Sequence, residues 1–202
     1  MWEDRFATPE YIFGQEPSVF LAENAHLLTK GATALAVADG EGRNSVFMAQ
    51  QGMTVTALEY APSAIAKAKA LAERHGVADQ ITFLQVDVME YDWPEVYDLV
   101  AGIFIQFVGP EDRARLFDAM KSSVAPGGLM MLHGYTPQQI EYGTGGPPNP
   151  ANMYTQTILR DAFSGWEIIR CAEYEREIQE GTGHCGQSAL IDLIARKPLR
   201  TD

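Results

Sequence analysis

The sequence has little that would hold a metal, a disulfide framework or a nucleic acid. Its two cysteines, Cys171 and Cys185, are too few for a stapled scaffold and lack the paired spacing of a zinc site, so no metal is expected. They can meet in space if the strands that carry them pair, but reduced thiols in a cytoplasmic protein are the expectation. No apolar run approaches the length that spans a bilayer. The opening MWEDRFATPEYIFG is acidic and aromatic without an apolar h-region, so no signal peptide is expected. Basic residues are scarce: 15 Lys and Arg stand against 27 Asp and Glu, a net charge of −12. That field repels phosphate backbones and anionic membranes, and no Lys/Arg cluster offsets it. Nucleic-acid and membrane partners are set aside in favour of a small molecule, with a mild bias toward a cationic one. Internal repeats and low-complexity tracts are absent too.

What is present is ordinary globular composition. Hydrophobic residues make up 46% and charged residues 21% of 202, enough for a full core, so residues 1–202 are read as a single domain. The chain alternates strand and helix. Pro17 to Leu28 has helical spacing, with Val19, Phe20, Leu27 and Leu28 on one face. Thr33 to Ala38 is a short apolar strand, and Arg43 to Gln51 a helix closed by Gly52. Thr54 to Leu58 is a β-rich run. Pro62 opens an alanine-rich helix through Arg74, and Gly76 stops it. Ile81 to Val86 and Tyr97 to Ile103 are the next strands. Pro110 to Val124 is a helix broken by Pro126-Gly127-Gly128, and Leu129 to His133 is the fifth strand. This alternation implies right-handed βαβ units and a parallel sheet. Trp166 to Glu175 and Ser188 to Ala195 are strand-like with no helix between them, so an antiparallel hairpin is expected at the sheet edge. Residues 134–152, rich in Gly and Pro, form a loop long enough to suggest an active-site role.

The stretch ALAVADGEGRN, Ala34 to Asn44, holds the first strand-to-helix turn. In a doubly wound sheet ligands bind at the carboxyl ends of the strands, so this turn matters most. Gly40 and Gly42 let backbone approach a ligand without a Cβ in the way, and the next helix offers free N–H groups. Glu59, ending the second strand, lies 19 residues beyond Gly40, close to the roughly 20-residue spacing of a ribose-binding acid. A dinucleotide fingerprint would need glycine at position 45, where Ser45 stands. That residue and the strand–strand ending weigh against a nicotinamide-dependent oxidoreductase. Ordinary turn glycines are the plain alternative.

Taken together these stretches resemble class I S-adenosylmethionine-dependent methyltransferases, and within them the small bacterial enzymes related to tellurite and thiopurine methyltransferases. The likeness runs through WEDRF and YIFGQEPSVFL, GEGRN, VTALEYAPSAIAKAKALA, LQVDV, YDLVAGIF, VAPGGLMMLHGY, GTGGPP and EREIQEG, and so covers nearly the whole chain. It implies an α/β, Rossmann-like, doubly wound sheet of seven strands, mostly parallel with an antiparallel last strand and helices on both faces. It implies S-adenosylmethionine as cofactor, S-adenosylhomocysteine as product, and a small-molecule methyl acceptor. By position, Ala38, Asp39, Gly40, Glu41 and Gly42 would wrap the methionine part and Glu59 would hold the ribose. Tyr60 would pack beside the adenine, with Asp87 and Val88 at its edge. Gly102, Ile103, Phe104 and Gln106 would face the methionine and the acceptor. Residues 1–30 would form a cover and helix, with Trp2, Arg5, Tyr11 and Gly14 over the cofactor. The family usually reads D-L-G-C-G where this chain has Ala36 to Gly40. Asp39 or Glu41 is expected to take over polar contact near the cofactor's ammonium, and Ala38 to adopt an ordinary negative φ.

Methyl transfer is an in-line displacement that needs nucleophile, methyl and sulfur aligned and water kept out. A thiolate or chalcogen oxyanion needs no strong base, whereas an oxygen or nitrogen nucleophile does. His184, flanked by glycine in EGTGHCG, is the first acceptor-side candidate, against a solvent-exposed turn histidine. Tyr142 on the 134–152 loop and Arg176, as an oxyanion binder, are the others, against plain aromatic packing and a solvated charge run. His133, Tyr135 and Cys185 are set lower. The 134–152 loop is read as a hinged lid, against a static loop. A monomer or homodimer is expected. A noncatalytic S-adenosylmethionine-binding or sensing module with a variant glycine loop is the other function class.

Overall fold

A computed structural model describes residues 2–199. It holds two compact units: one comprises residues 2–91 and Glu180–Gly183, the other Asp92–Gln179 and residues 184–199.

In the first unit, α1 (Trp2–Phe6) and α2 (Val19–Glu23) precede β1 (Thr33–Val37), α3 (Arg43–Gln50), β2 (Thr54–Glu59), α4 (Pro62–Arg74) and β3 (Ile81–Gln85). The strands are parallel in the order β3-β2-β1, with Val37 opposite Leu58 and Glu59 opposite Gln85. β1 is apolar and buried from Ala34 to Val37, the pattern of a strand covered on both faces. α4 starts at Pro62 and buries Ala64, Ile65, Ala68, Leu71 and Ala72. Its small residues permit close approach: a Cβ on Gly42 would sit 2.5 Å from that of Ala68. Glu3 of α1 caps α4, its carboxylate accepting the Ser63 N–H at 3.0 Å and the Ser63 hydroxyl.

In the second unit, β4 (Tyr97–Ile103), α5 (Pro110–Ser122) and β5 (Val124–Tyr135) are followed by α6 (Gln139–Tyr142), α7 (Gln156–Ala162), β6 (Glu167–Glu180) and β7 (His184–Arg196). β4 and β5 are parallel, β5 and β7 antiparallel with His133 opposite Asp192, and the order is β4-β5-β7-β6. Among the described residues seven strands, mostly parallel with the last one antiparallel, match the expected α/β, Rossmann-like class.

The departures have local causes. Pro17 to Leu28 is not one helix: α2 stops at Asn24, whose side chain donates to the Phe20 carbonyl at 2.8 Å, and a 3-10 turn, Ala25–Leu27, follows. Pro126 to Gly128 lies inside β5 rather than before it. Gly127 N–H donates to Lys197, Lys197 N–H donates to Gly128, and the β4 pairing is irregular there. Residues 134–152 are not a bare loop but contain the end of β5, α6 and a turn at Pro150–Asn152. Gln139, fully buried, fastens this segment: its amide donates to Thr144 Oγ1 at 2.9 Å and accepts from Ala189 N–H at 2.8 Å. α7, which the apolar pattern does not announce, is capped by Thr155, whose hydroxyl accepts the Ile158 N–H. Among the described residues no helix is long and apolar enough to cross a membrane, and no cluster of metal-ligating side chains occurs. Cys171 and Cys185 are both free.

Candidate active site

The turn from β1 to α3 is built from left-handed residues. Ala38 has φ 49, Gly40 φ 64 and Gly42 φ 90. The expectation of a negative φ at Ala38 is corrected: the chain reverses here within a few residues, and the position keeps the glycine conformation without the glycine. Asp39 N–H donates to Leu58 O at 3.0 Å and Gly40 N–H to Glu59 Oε2 at 2.8 Å, so the loop is tied to the end of β2. Glu59 Oε1 accepts from the Tyr60 and Ala61 N–H groups, both at 2.9 Å. Burial holds the Glu59 carboxyl above its ordinary value although these three hydrogen bonds pull the other way.

Asp39 turns back to α3. It accepts the Ser45 N–H at 3.2 Å and the Ser45 hydroxyl. Ser45, read from the sequence only as a missing glycine, is thus the cap partner of the variant loop. Burial pushes the Asp39 carboxyl up to about 6; the Ser45 hydrogen bonds and Arg43 oppose this, and Glu59 adds to it. Glu41 is engaged elsewhere: buried, it pairs with Lys67 Nζ at 2.7 Å and accepts the Phe13 N–H at 3.3 Å.

The N-terminal segment packs on this turn. Phe6 is buried with Ala61, Ala64, Ile12 and Phe13, and its ring lies 3.7 Å from where a Gly40 Cβ would be. Trp2 stacks on Phe6 at 5.6 Å, and the Arg5 guanidinium lies over the Trp2 and Phe13 rings at 5.1 and 5.4 Å. Tyr11 donates to Lys67 O at 2.9 Å and accepts from Arg74 at 3.0 Å. Gly14, at φ 77, abuts Gly181 of the β6–β7 turn. That turn closes a second contact the sequence did not reveal: buried Glu180 accepts the Val19 N–H at 2.9 Å and pairs with Arg43 at 2.7 Å. Tyr60 is 60% exposed, so its ring is open to a ligand. Asp87 is exposed and accepts the Met89 N–H at 2.9 Å, while Val88 beside it is buried.

In the second unit, a Cβ on Gly102 of β4 would meet the side-chain ends of Ile105, Leu132 and Met120 at 2.6, 2.9 and 2.9 Å, so the residue is packed against them. Ile103 ends the strand, and Phe104 follows with φ 58. Gln106, buried, spends both ends of its amide on the Tyr135 backbone, at 2.8 and 2.7 Å. His184 is no exposed turn residue: it is buried and begins β7. Its ring lies 4.0 Å from that of Phe104 and 5.6 Å from that of Tyr135. Arg176, half-buried on β6, shares its strand face with Tyr174 and Ile178, which pack with Tyr135 and Leu190. Tyr142 is placed apart, its hydroxyl bonded to Glu175, which alternates to the opposite face of β6 from Tyr174; that bond raises its pKa. Buried His133 meets Asp192 through Nδ1 at 2.8 Å.

Known proteins share this architecture. Residues 34–128 match the family described as a methyltransferase domain. The fold is the class I methyltransferase fold. TehB from Haemophilus influenzae aligns with a TM-score of 0.71 at 19% identity, over 88% of this chain and 61% of that one. The N-methyltransferase NodS from Bradyrhizobium japonicum WM9, in complex with S-adenosyl-L-homocysteine, aligns with a TM-score of 0.71 at 14% identity, over 98% of this chain and 96% of that one. A carboxy-S-adenosyl-L-methionine synthase from Vibrio parahaemolyticus is 23% identical over 83 residues, 41% of this chain and 34% of that protein. The chain thus spans less than two thirds of TehB and about a third of the synthase. Within the methyltransferase fold, the family match takes in the glycine turn, Glu59 and Asp87, and begins beyond the N-terminal segment.

Proposed function

We propose that the protein is an S-adenosylmethionine-dependent methyltransferase acting on a small molecule, a thiol or a chalcogen oxyanion. One observation carries this reading: the glycine turn ending β1 is hydrogen-bonded to the acid ending β2, Gly40 to Glu59 at 2.8 Å. A carboxylate has about four lone-pair positions. The Gly40, Tyr60 and Ala61 N–H groups take three, which leaves Oε2 able to accept a ribose hydroxyl. At Gly40 only the Phe6 ring, at 3.7 Å, stands near where a side chain would be, so backbone alone meets the ligand and the residues present fit the cofactor. Bound there, the cofactor supplies an electrophilic methyl on a sulfonium.

The chain's own residues then bind and orient. Asp39 rather than Glu41 faces the ammonium, since Glu41 is already neutralised by Lys67. Trp2, Arg5, Tyr11 and Gly14 belong to the cover, and Tyr60, Asp87 and Val88 take the adenine. Gly102, Ile103, Phe104 and Gln106 serve the methionine end and the acceptor. There His184 accepts a proton from a thiol or bonds an oxyanion and Arg176 supplies positive charge, while Tyr142, whose one hydroxyl proton goes to Glu175, lines the approach. The resemblance to tellurite and thiopurine methyltransferases supports a soft nucleophile, which needs no strong base. A single domain, a cytoplasmic setting, and a monomer or homodimer complete the proposal; the free thiols agree with a reducing compartment.

The test is transfer of label from methyl-tritiated S-adenosylmethionine to a panel of thiols, selenite, tellurite and amines. Labelled product from a thiol or chalcogen oxyanion is the expected result. The strained Ala38 favours a second reading, a binding or sensing module. Tight cofactor binding with no labelled product across the panel would support that module instead.

A further inference from the structure

Phe104 is held in a conformation that bulky residues avoid, φ 58, at the carboxyl end of β4. Such outliers persist only where their surroundings over-determine them, and they gather at functional sites. Here one residue grips Phe104 twice. The His133 carbonyl accepts the Phe104 N–H at 2.8 Å. The His133 ring meets the Phe104 ring edge-on at 4.7 Å.

His133 is in turn fixed by Asp192, its cross-strand partner on β7. Asp192 Oδ1 takes His133 Nδ1 at 2.8 Å and the Tyr174 hydroxyl at 3.1 Å, and Oδ2 takes Arg170 Nε at 2.7 Å. Burial alone would raise the Asp192 carboxyl; His133 and then Arg170 hold it below its ordinary value, so it is ionised. Around it β7 is apolar and buried from Ala189 to Ala195. An apolar pair would join β5 to β7 at least as well as a buried charge does. The network runs instead from Arg170 and Tyr174 through Asp192 and His133 to the strained residue, whose ring also carries His184 at 4.0 Å.

We propose that Asp192 is a positioning residue for the transfer reaction: through His133 it fixes Phe104, and with it the aromatic wall on which His184 lies. This rests on the transferase reading for its purpose, but not for its test. The full-length Asp192→Asn and His133→Phe variants are crystallised with S-adenosylhomocysteine, and their turnover is measured on whichever acceptor of the panel the wild type methylates. In both, Phe104 leaves the left-handed region and kcat falls about 10- to 100-fold. Calorimetric affinity for S-adenosylhomocysteine falls less than kcat, by at most about threefold, because the glycine turn and Glu59 are untouched. His133→Asn, which keeps an N–H toward Asp192 but lacks the ring that meets Phe104, gives the same changes. If Asp192→Asn does not fold, Arg170→Gln, at a side chain 45% exposed, gives the same changes in weaker form. Phe104 unmoved in these variants, or kcat unchanged, overturns the proposal. If the wild type methylates no acceptor, the transferase reading falls separately, and the Phe104 conformation in the variants still decides this one.

Discussion

Ala38 carries a left-handed φ of 49 with a Cβ that the region disfavours. For an L-residue this conformation costs about 1–2 kcal/mol, of which glycine's greater freedom in the unfolded chain takes back about 0.5–1. Ala38→Gly should therefore stabilise the protein by about 0.5–1 kcal/mol in thermal or urea unfolding; a loss of stability would contradict the φ. The replaced glycine was legible in the sequence, but its conformation was not, because φ is imposed by the chain's path between β1 and α3. Asp39 makes a pH-dependent case. Its folded pKa of about 6 lies above the ordinary 3.8. The folded state then binds the proton more tightly, so this group's stabilisation is full below the unfolded value and is lost as pH rises through about 6. Asp39→Asn should gain about 1–2 kcal/mol on the wild type at pH 7 and nothing near pH 4, after allowance for partial exposure. A bound ammonium favours the ionised form, so wild-type affinity for S-adenosylhomocysteine should rise between about pH 5 and 7 and that of the variant should stay flat. A variant that tracks the wild type would remove Asp39 from that role.

The elements that matched to the residue have strong ends or clean patterns. α4 lies between Pro62 and Gly76, and β4 is an apolar run with a polar start. β6 matched poorly because EREIQE reads as a charge run. In the structure its acids and bases alternate on a strand that ends the order of its unit, where charge blunts edge pairing. The turn that follows it has the strictest geometry in the first unit. A Cβ on Gly181 would lie 2.2 Å from Ile12 O and 2.5 Å from Gly14 N, both backbone, at φ 67. Gly183 N–H donates to Ile12 O at 2.9 Å. Gly181→Ala should therefore cost about 2–3 kcal/mol and release the 11–14 segment. Hydrogen exchange would show it as faster exchange there with α4 unchanged, and equal exchange in the two proteins would rule out the latch. These partners lie far apart in sequence, so spacing could not announce them; the glycines of EGTGHCG were the only signal.

For the whole molecule, the α/β class and seven strands were legible because βα alternation and the strand–strand ending are sequence-local patterns. The candidate site was legible where it is a motif, at Gly40, Gly42 and Glu59. It was not where it depends on folding, as with Ser45 on Asp39, Phe6 beside Gly40, and Asp192 behind His133. The net charge of −12 suits a cofactor with a net positive charge and argues against polyanionic partners. The central claim is that the glycine turn and Glu59 hold S-adenosylmethionine. Isothermal titration of the wild type and of Glu59→Ala with S-adenosylhomocysteine tests it most directly. The account predicts saturable one-to-one binding to the wild type and a loss of about 10- to 100-fold in the variant, the worth of a hydrogen bond to a charged group. No binding to the wild type, or equal binding to both proteins, would contradict it.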